Sequence, residues 1–207
     1  MTKCIYFTQN KKSIKDALSF CKQYFEPIFK NDDEHVPYYI VTVKKTGYEN
    51  NLFYLKNKNI NIKDNYNDDY CYDKFLDLNN QDKTSFILLH GEPGTGKTTL
   101  IKKLIKDLNG KKDVLYMDSN IFESFSSSDF LQYAMKSLKN NVVVFEDCEK
   151  LLASRDKTYS PFLNTLLNMT DGFLAEALNI HFICTFNCPL DKIDKALLRK
   201  GRLSMRY

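Results

Sequence analysis

Two patterns of apolar and polar positions divide this chain. Between Met1 and about Asn67, Ile14, Leu18, Cys21, Phe25 and Phe29 recur near helical spacing, so Ser13–Phe29 reads as one amphipathic helix. Tyr38–Val43 alternates and is rich in β-branched and aromatic residues. Thr46-Gly47 offers a turn, and Leu52–Leu55 follows as a partner strand. The stretch Asn57–Asp69 is dominated by Asn, Asp and Lys and reads as an edge or a linker. Residues 1–67 are therefore expected to form a small α+β module, its aromatic residues serving as core.

From about Tyr70 the pattern becomes short, continuous apolar runs separated by helical ones. Phe86–Leu89, Val114–Met117, Val142–Phe145 and Ile180–Thr185 are the runs; Thr98–Leu108, Asp129–Leu138 and Pro161–Met169 are the predicted helices. Continuous apolar strands alternating with helices predict an α/β fold, a parallel β-sheet covered on both faces. Such sheets bind ligands at the carboxyl ends of their strands, and the polar motifs of residues 68–207 fall at such ends.

Composition adds limits. With 207 residues, 43% hydrophobic and 27% charged, the chain has the make-up of a globular protein with one substantial core, or of one domain with a small appendage. A net charge of +4 and no Lys/Arg run interleaved with aromatics give no reason to expect nucleic acid. Lys102, Lys103 and Lys106 read as the solvated face of a helix. The six cysteines include no CxxC pair, so reduced thiols are expected rather than a metal site. No apolar run approaches the ~20 residues that cross a bilayer, and the N-terminus lacks a signal-peptide core. A cytoplasmic chain without a membrane partner is the expectation.

The chemistry is concentrated in GEPGTGKT, Gly91–Thr98, which matches G-x-x-x-x-G-K-[ST] directly after a predicted strand and before a predicted helix. Its glycines let successive N–H groups turn towards one anion, and the following helix adds its positive end. Gly91, Glu92, Pro93, Gly94, Thr95, Gly96, Lys97, Thr98 and Thr99 are the candidate ATP-binding residues. Lys97 would reach the β- and γ-phosphates, and Thr98 would offer its hydroxyl to Mg²⁺. VVVFED, Val142–Asp147, places two acids at the end of a buried strand. Glu146 would hold Mg²⁺ with Thr98, and Asp147 would polarise the attacking water.

With these motifs in order, residues 77–207 resemble the AAA ATPases of the AAA+ class. GEPGTGKT is similar to the family's GPPGTGKT, and FEDCEKLLASRD to its acidic motif and Arg-containing helix. LLNMTDGF resembles its LL-x-x-M-DG-F stretch, and TFNCPLDKIDKALLRKGRLSMRY its second region of homology. The resemblance implies that Asn187 is the polar sensor placing the water. It implies that Arg199 and Arg202 reach a neighbouring subunit's nucleotide in a homo-oligomeric ring. The implied fold is the AAA+ α/β subdomain of P-loop NTPases; the implied activity is ATP hydrolysis coupled to remodelling or translocation of a protein client, with residues 1–67 open to a client or adaptor.

Three features depart from the family pattern. The acids read Glu-Asp rather than Asp-Glu, as in a branch resembling the mitochondrial inner-membrane AAA translocases. Phe122 and Phe125 occupy the expected substrate-gripping loop without its aromatic-hydrophobic-Gly triplet and serve equally well as packing residues. Finally, the sequence stops at Tyr207, ahead of the helical lid, whether as a fragment, a truncated product or one piece of a split protein. Weaker nucleotide binding and poorer ring assembly are then expected. The alternative function is an ATP-binding assembly or scaffold module with little or no turnover.

Overall fold

A computed structural model describes residues 34–45, 47–62, 66, 72–118, 121, 128–149, 161–187, 189–199 and 201–206. The helix expected over Ser13–Phe29, the loop residues Phe122 and Phe125, and Cys4, Cys21, Cys71 and Cys188 lie outside them.

Seven strands and five α-helices build the described part. The strands are β1 (His35–Lys44), β2 (Gly47–Lys56), β3 (Ser85–His90), β4 (Val114–Met117), β5 (Val142–Phe145), β6 (His181–Phe186) and β7 (Leu203–Arg206). The helices are α1 (Tyr72–Asn80), α2 (Lys97–Asp107), α3 (Ser128–Tyr133), α4 (Pro161–Thr170) and α5 (Phe173–Leu178). A π-helical turn, Ala134–Leu138, continues α3. All seven strands join one sheet in the order β2-β1-β4-β5-β6-β3-β7. Every pairing is parallel except the β1–β2 hairpin.

The four apolar runs become the central strands because both their faces are covered. Residues of β3 alternate between two cores. Phe86 and Leu88 face a cluster with Val143, Phe145, Phe182, Phe130 of α3 and Leu163 of α4. Ile87 and Leu89 face a cluster with Val144, Ile183, Phe75 of α1 and Leu100, Leu104 and Ile105 of α2. Each such buried side chain contributes about 1.5–3 kcal/mol relative to exposure. The helices α1 and α5 were not expected from the pattern: α1 presents Phe75 to the core but is otherwise largely polar, and α5 is only six residues long.

The hairpin does not stand apart from this sheet. Tyr39, Ile40 and Val41 of β1 pair in parallel with Leu115, Tyr116 and Met117 of β4. Tyr48 of β2 stacks on Tyr133 with ring centroids 4.9 Å apart and meets Phe130 edge-on at 5.3 Å. The boundary drawn at residue 67 therefore does not separate two sheets. Alternation along β1 and β2 identified the strands; which neighbour they pair with depends on the exposed edge of β4, which no local pattern encodes.

Candidate active site

The loop between β3 and α2 holds the glycines where the backbone needs them. Gly94 and Gly96 lie at φ 87° and 94°, in the left-handed region that other L-residues avoid. Gly96 is the N-cap of α2, and no side chain caps that helix, so its first amide groups remain for an anion. Gly91 N–H donates to the Phe186 carbonyl at 3.1 Å, tying the start of the loop to the end of β6. Lys97 Nζ donates to the carbonyls of Gly91 at 2.8 Å and Glu92 at 3.0 Å, so the ammonium already spans the loop.

Two carboxylates meet this loop from β5. The Thr98 hydroxyl donates to Glu146 Oε1 at 2.6 Å. A hydroxyl beside one carboxylate suits Mg²⁺, which keeps waters and takes phosphate oxygens instead of requiring an all-protein cage. Asp147 accepts at Oδ1 from Asn187 Nδ2 at 2.7 Å. Glu146 thus turns to α2 and Asp147 to the end of β6, giving two adjacent acids two different partners. Thr98 with Glu146 and Asp147 with Asn187 form two hydrogen-bonded pairs, with Lys97 spanning the glycine loop.

The arginines are placed differently. Arg199 is exposed in the turn before β7. Arg202 is engaged within its own chain: its Nε donates to Asp171 Oδ2 at 3.2 Å and its Nη1 to the Ala196 carbonyl at 3.1 Å.

Three further residues support the site. Glu149 Oε1 accepts the Asn187 backbone N–H at 2.6 Å, and Thr185 Oγ1 accepts that of Asp147 at 2.9 Å. Tyr66 donates its hydroxyl to the Gly96 carbonyl at 2.8 Å, and a Cβ on Gly96 would stand 3.0 Å from that oxygen. Glu149 and Thr185 were visible as polar residues two positions from Asp147 and Asn187; Tyr66, in the Asn/Asp/Lys-rich stretch, carried no signal.

Two titratable groups border the site. Burial, with the charges of Arg206 and Lys97 adding, holds His90 below the usual imidazole range. Burial and the nearby carboxylates of Glu146, Asp118 and Asp147 push the Tyr116 phenol up. That phenol lines a cavity of about 330 Å³ behind Thr98 and Glu146, whose walls include Ile40, Ile101 and Val144. The cavity's lining is mostly apolar, with Thr98, Lys102, Tyr116 and Glu146 among its polar side chains.

A family model described as the ATPase family associated with various cellular activities (AAA) matches residues 87–207. The chain belongs to the AAA family of ATPases. Its AAA region is similar to a vesicle-fusing ATPase of Arabidopsis thaliana, 30% identical over 139 residues, covering 58% of this chain and 18% of that protein. Vesicular-fusion protein SEC18 of Candida albicans is 31% identical over 141 residues, covering 58% and 17%. A vesicle-fusing ATPase of Dictyostelium discoideum is 30% identical over 138 residues, covering 58% and 18%. The AAA match thus spans less than a fifth of the length of each of these relatives. Among the described residues no helix is long and apolar enough to cross a membrane.

Proposed function

We propose that the chain binds Mg·ATP on Gly91–Thr99 and hydrolyses it. One constellation supports this reading: Thr98 on Glu146 and Asn187 on Asp147, both beside the loop that Lys97 spans. Lys97 exchanges its two loop carbonyls for the β- and γ-phosphates. Thr98 and Glu146 would hold Mg²⁺, which would supply positive charge beside the phosphates. Asp147 draws a proton of the attacking water, and Asn187 orients that water from the end of β6.

Arg199 and Arg202 act on the nucleotide of a neighbouring copy in a ring, where a guanidinium offsets charge on the transferring phosphoryl group. Arg202 already holds Asp171, so Arg199 carries the larger share. The work is remodelling or translocation of a protein substrate or complex, with residues 1–67 recognising a client or adaptor; the relatives named for vesicle fusion support remodelling.

The test is ATP turnover per chain, with Mg²⁺, across a wide range of protein concentration. Turnover that climbs with concentration and is lost in Arg199→Ala is the expected result. Flat, near-zero turnover alongside retained ATP binding would refute hydrolysis by this chain and leave the assembly-module reading.

A further inference from the structure

Asp147 lies at φ 54°, in the left-handed region. Among the described residues only Asn140, at φ 61°, and Asn179, at φ 48°, share that conformation without being glycine. All three have the short polar side chains that tolerate left-handed backbone best. The two asparagines pair with each other, Asn179 Nδ2 donating to Asn140 Oδ1 at 3.1 Å, in turns remote from the loop. Asp147 is the one at the active site.

Its conformation is held from β6. Thr185, 2% exposed, accepts the Asp147 N–H on its hydroxyl at 2.9 Å, and its carbonyl accepts the Cys148 N–H at 3.0 Å. The buried Cys148 thiol donates to the Phe145 carbonyl at 3.5 Å, closing the turn Phe145–Cys148. Glu146, the residue after β5, turns its carboxylate to Thr98 of α2. The left-handed residue after it, Asp147, turns the chain beyond the strand, and its carboxylate meets Asn187.

We infer that Thr185 is a positioning residue. Its hydroxyl fixes Asp147 in a left-handed backbone, and that backbone makes aspartate, not glutamate, the fitting second acid. The inference rests on the reading of Asp147 as the group that polarises water. The Glu-Asp order is then a matched set with Thr185: the bent backbone aims the shorter side chain, and a longer one overshoots the water between Asn187 and the γ-phosphate.

Thr185→Val removes the hydroxyl at nearly constant shape, and Thr185→Ser keeps it. In a crystal structure of Thr185→Val, Asp147 is expected to leave the positive-φ region; a retained positive φ overturns the inference. Turnover by Thr185→Val should fall about 10-fold or more with ATP affinity within about 2-fold, and Thr185→Ser should stay within about 3-fold of the parent. Parental turnover in Thr185→Val overturns it, as does turnover in Asp147→Glu equal to or above the parent's.

Should Thr185→Val not fold, Asp147→Gly against Asp147→Ala decides the backbone claim. Glycine must melt higher, because left-handed backbone strains alanine and not glycine; the reverse order overturns the claim. A parent chain without turnover refutes the hydrolysis reading, while the Thr185→Val crystal structure still decides what holds Asp147 and the melting comparison whether its backbone is left-handed.

Discussion

The strands β3 and β6 carry a polar cluster at each end, and the two ends are built on opposite terms. At the amino end, Ser85 and His181 are buried, 3% and 0% exposed, and bonded to each other at 2.9 Å between Oγ and Nδ1. Lys112 reaches the other ring nitrogen, Nε2, and the Gln81 carbonyl at 3.3 Å. An ammonium only donates, so Nε2 carries the lone pair and Nδ1–H points at Ser85. At the carboxyl end, Lys97, Thr98, Glu146, Asp147 and Asn187 are half-buried or exposed, and their hydrogen bonds connect groups that an anion and a metal could take over. The difference separates structural from functional polarity. A closed cluster has spent its hydrogen-bonding capacity on itself; an open one, on the loops where strands end, has capacity to exchange.

The largest expected contrast is chemical. Lys97→Ala and Glu146→Gln should each lower ATP turnover by about 10³-fold, or about 4 kcal/mol in the barrier, with thermal midpoints close to the parent's. Steady-state kinetics beside melting curves check this; a large drop in the midpoint would show that the open end is structural as well.

The closed end should respond to pH instead. Burial, with the charge of Lys112 adding, lowers the His181 pKa to about 4 in the folded chain, against about 6.5 unfolded. Above pH 6.5 both states are neutral there and the group is silent. As pH falls from 6.5 to 4 the unfolded chain takes up the proton first, so stability declines, by about 3 kcal/mol at pH 4. Denaturant unfolding of the parent and of His181→Gln at several pH values measures it, and an equal pH slope in both would break the assignment.

Gly96→Ala should cost about 1–2 kcal/mol, since the residue sits at φ 94° and a Cβ would meet Tyr66 Oη at 3.0 Å. Chemical unfolding reads that loss. The smallest effect is expected of Tyr66→Phe. It removes the bond to the Gly96 carbonyl and should cost about 0.5–1.5 kcal/mol, seen as several-fold weaker ATP binding by titration calorimetry with turnover at saturation little changed. An unchanged affinity would place Tyr66 with the closed, structural polarity.

How much was legible follows from how local each feature is. Val114–Met117 and Val142–Phe145 were read to the residue, because a continuous apolar run bounded by polar turns leaves little freedom. The glycine loop was legible because its motif states the backbone it needs. The reach of the hairpin to β4, the Tyr66 contact across 30 residues to Gly96, and the in-chain bond of Arg202 to Asp171 were not. Each joins residues distant in sequence whose own surroundings fit several partners equally well.

By itself, then, the sequence determined the parallel α/β sheet, the glycine loop between strand and helix, and the two acids after the buried strand, because periodicity and short motifs are local constraints on backbone and side-chain type. Only the tertiary structure decided that the front hairpin extends the same sheet, that Arg202 is held by Asp171, and that Asp147 is set at φ 54° beneath Thr185. Those outcomes depend on which unpaired edges, carboxylates and hydroxyls come within hydrogen-bond reach once the strands are in order.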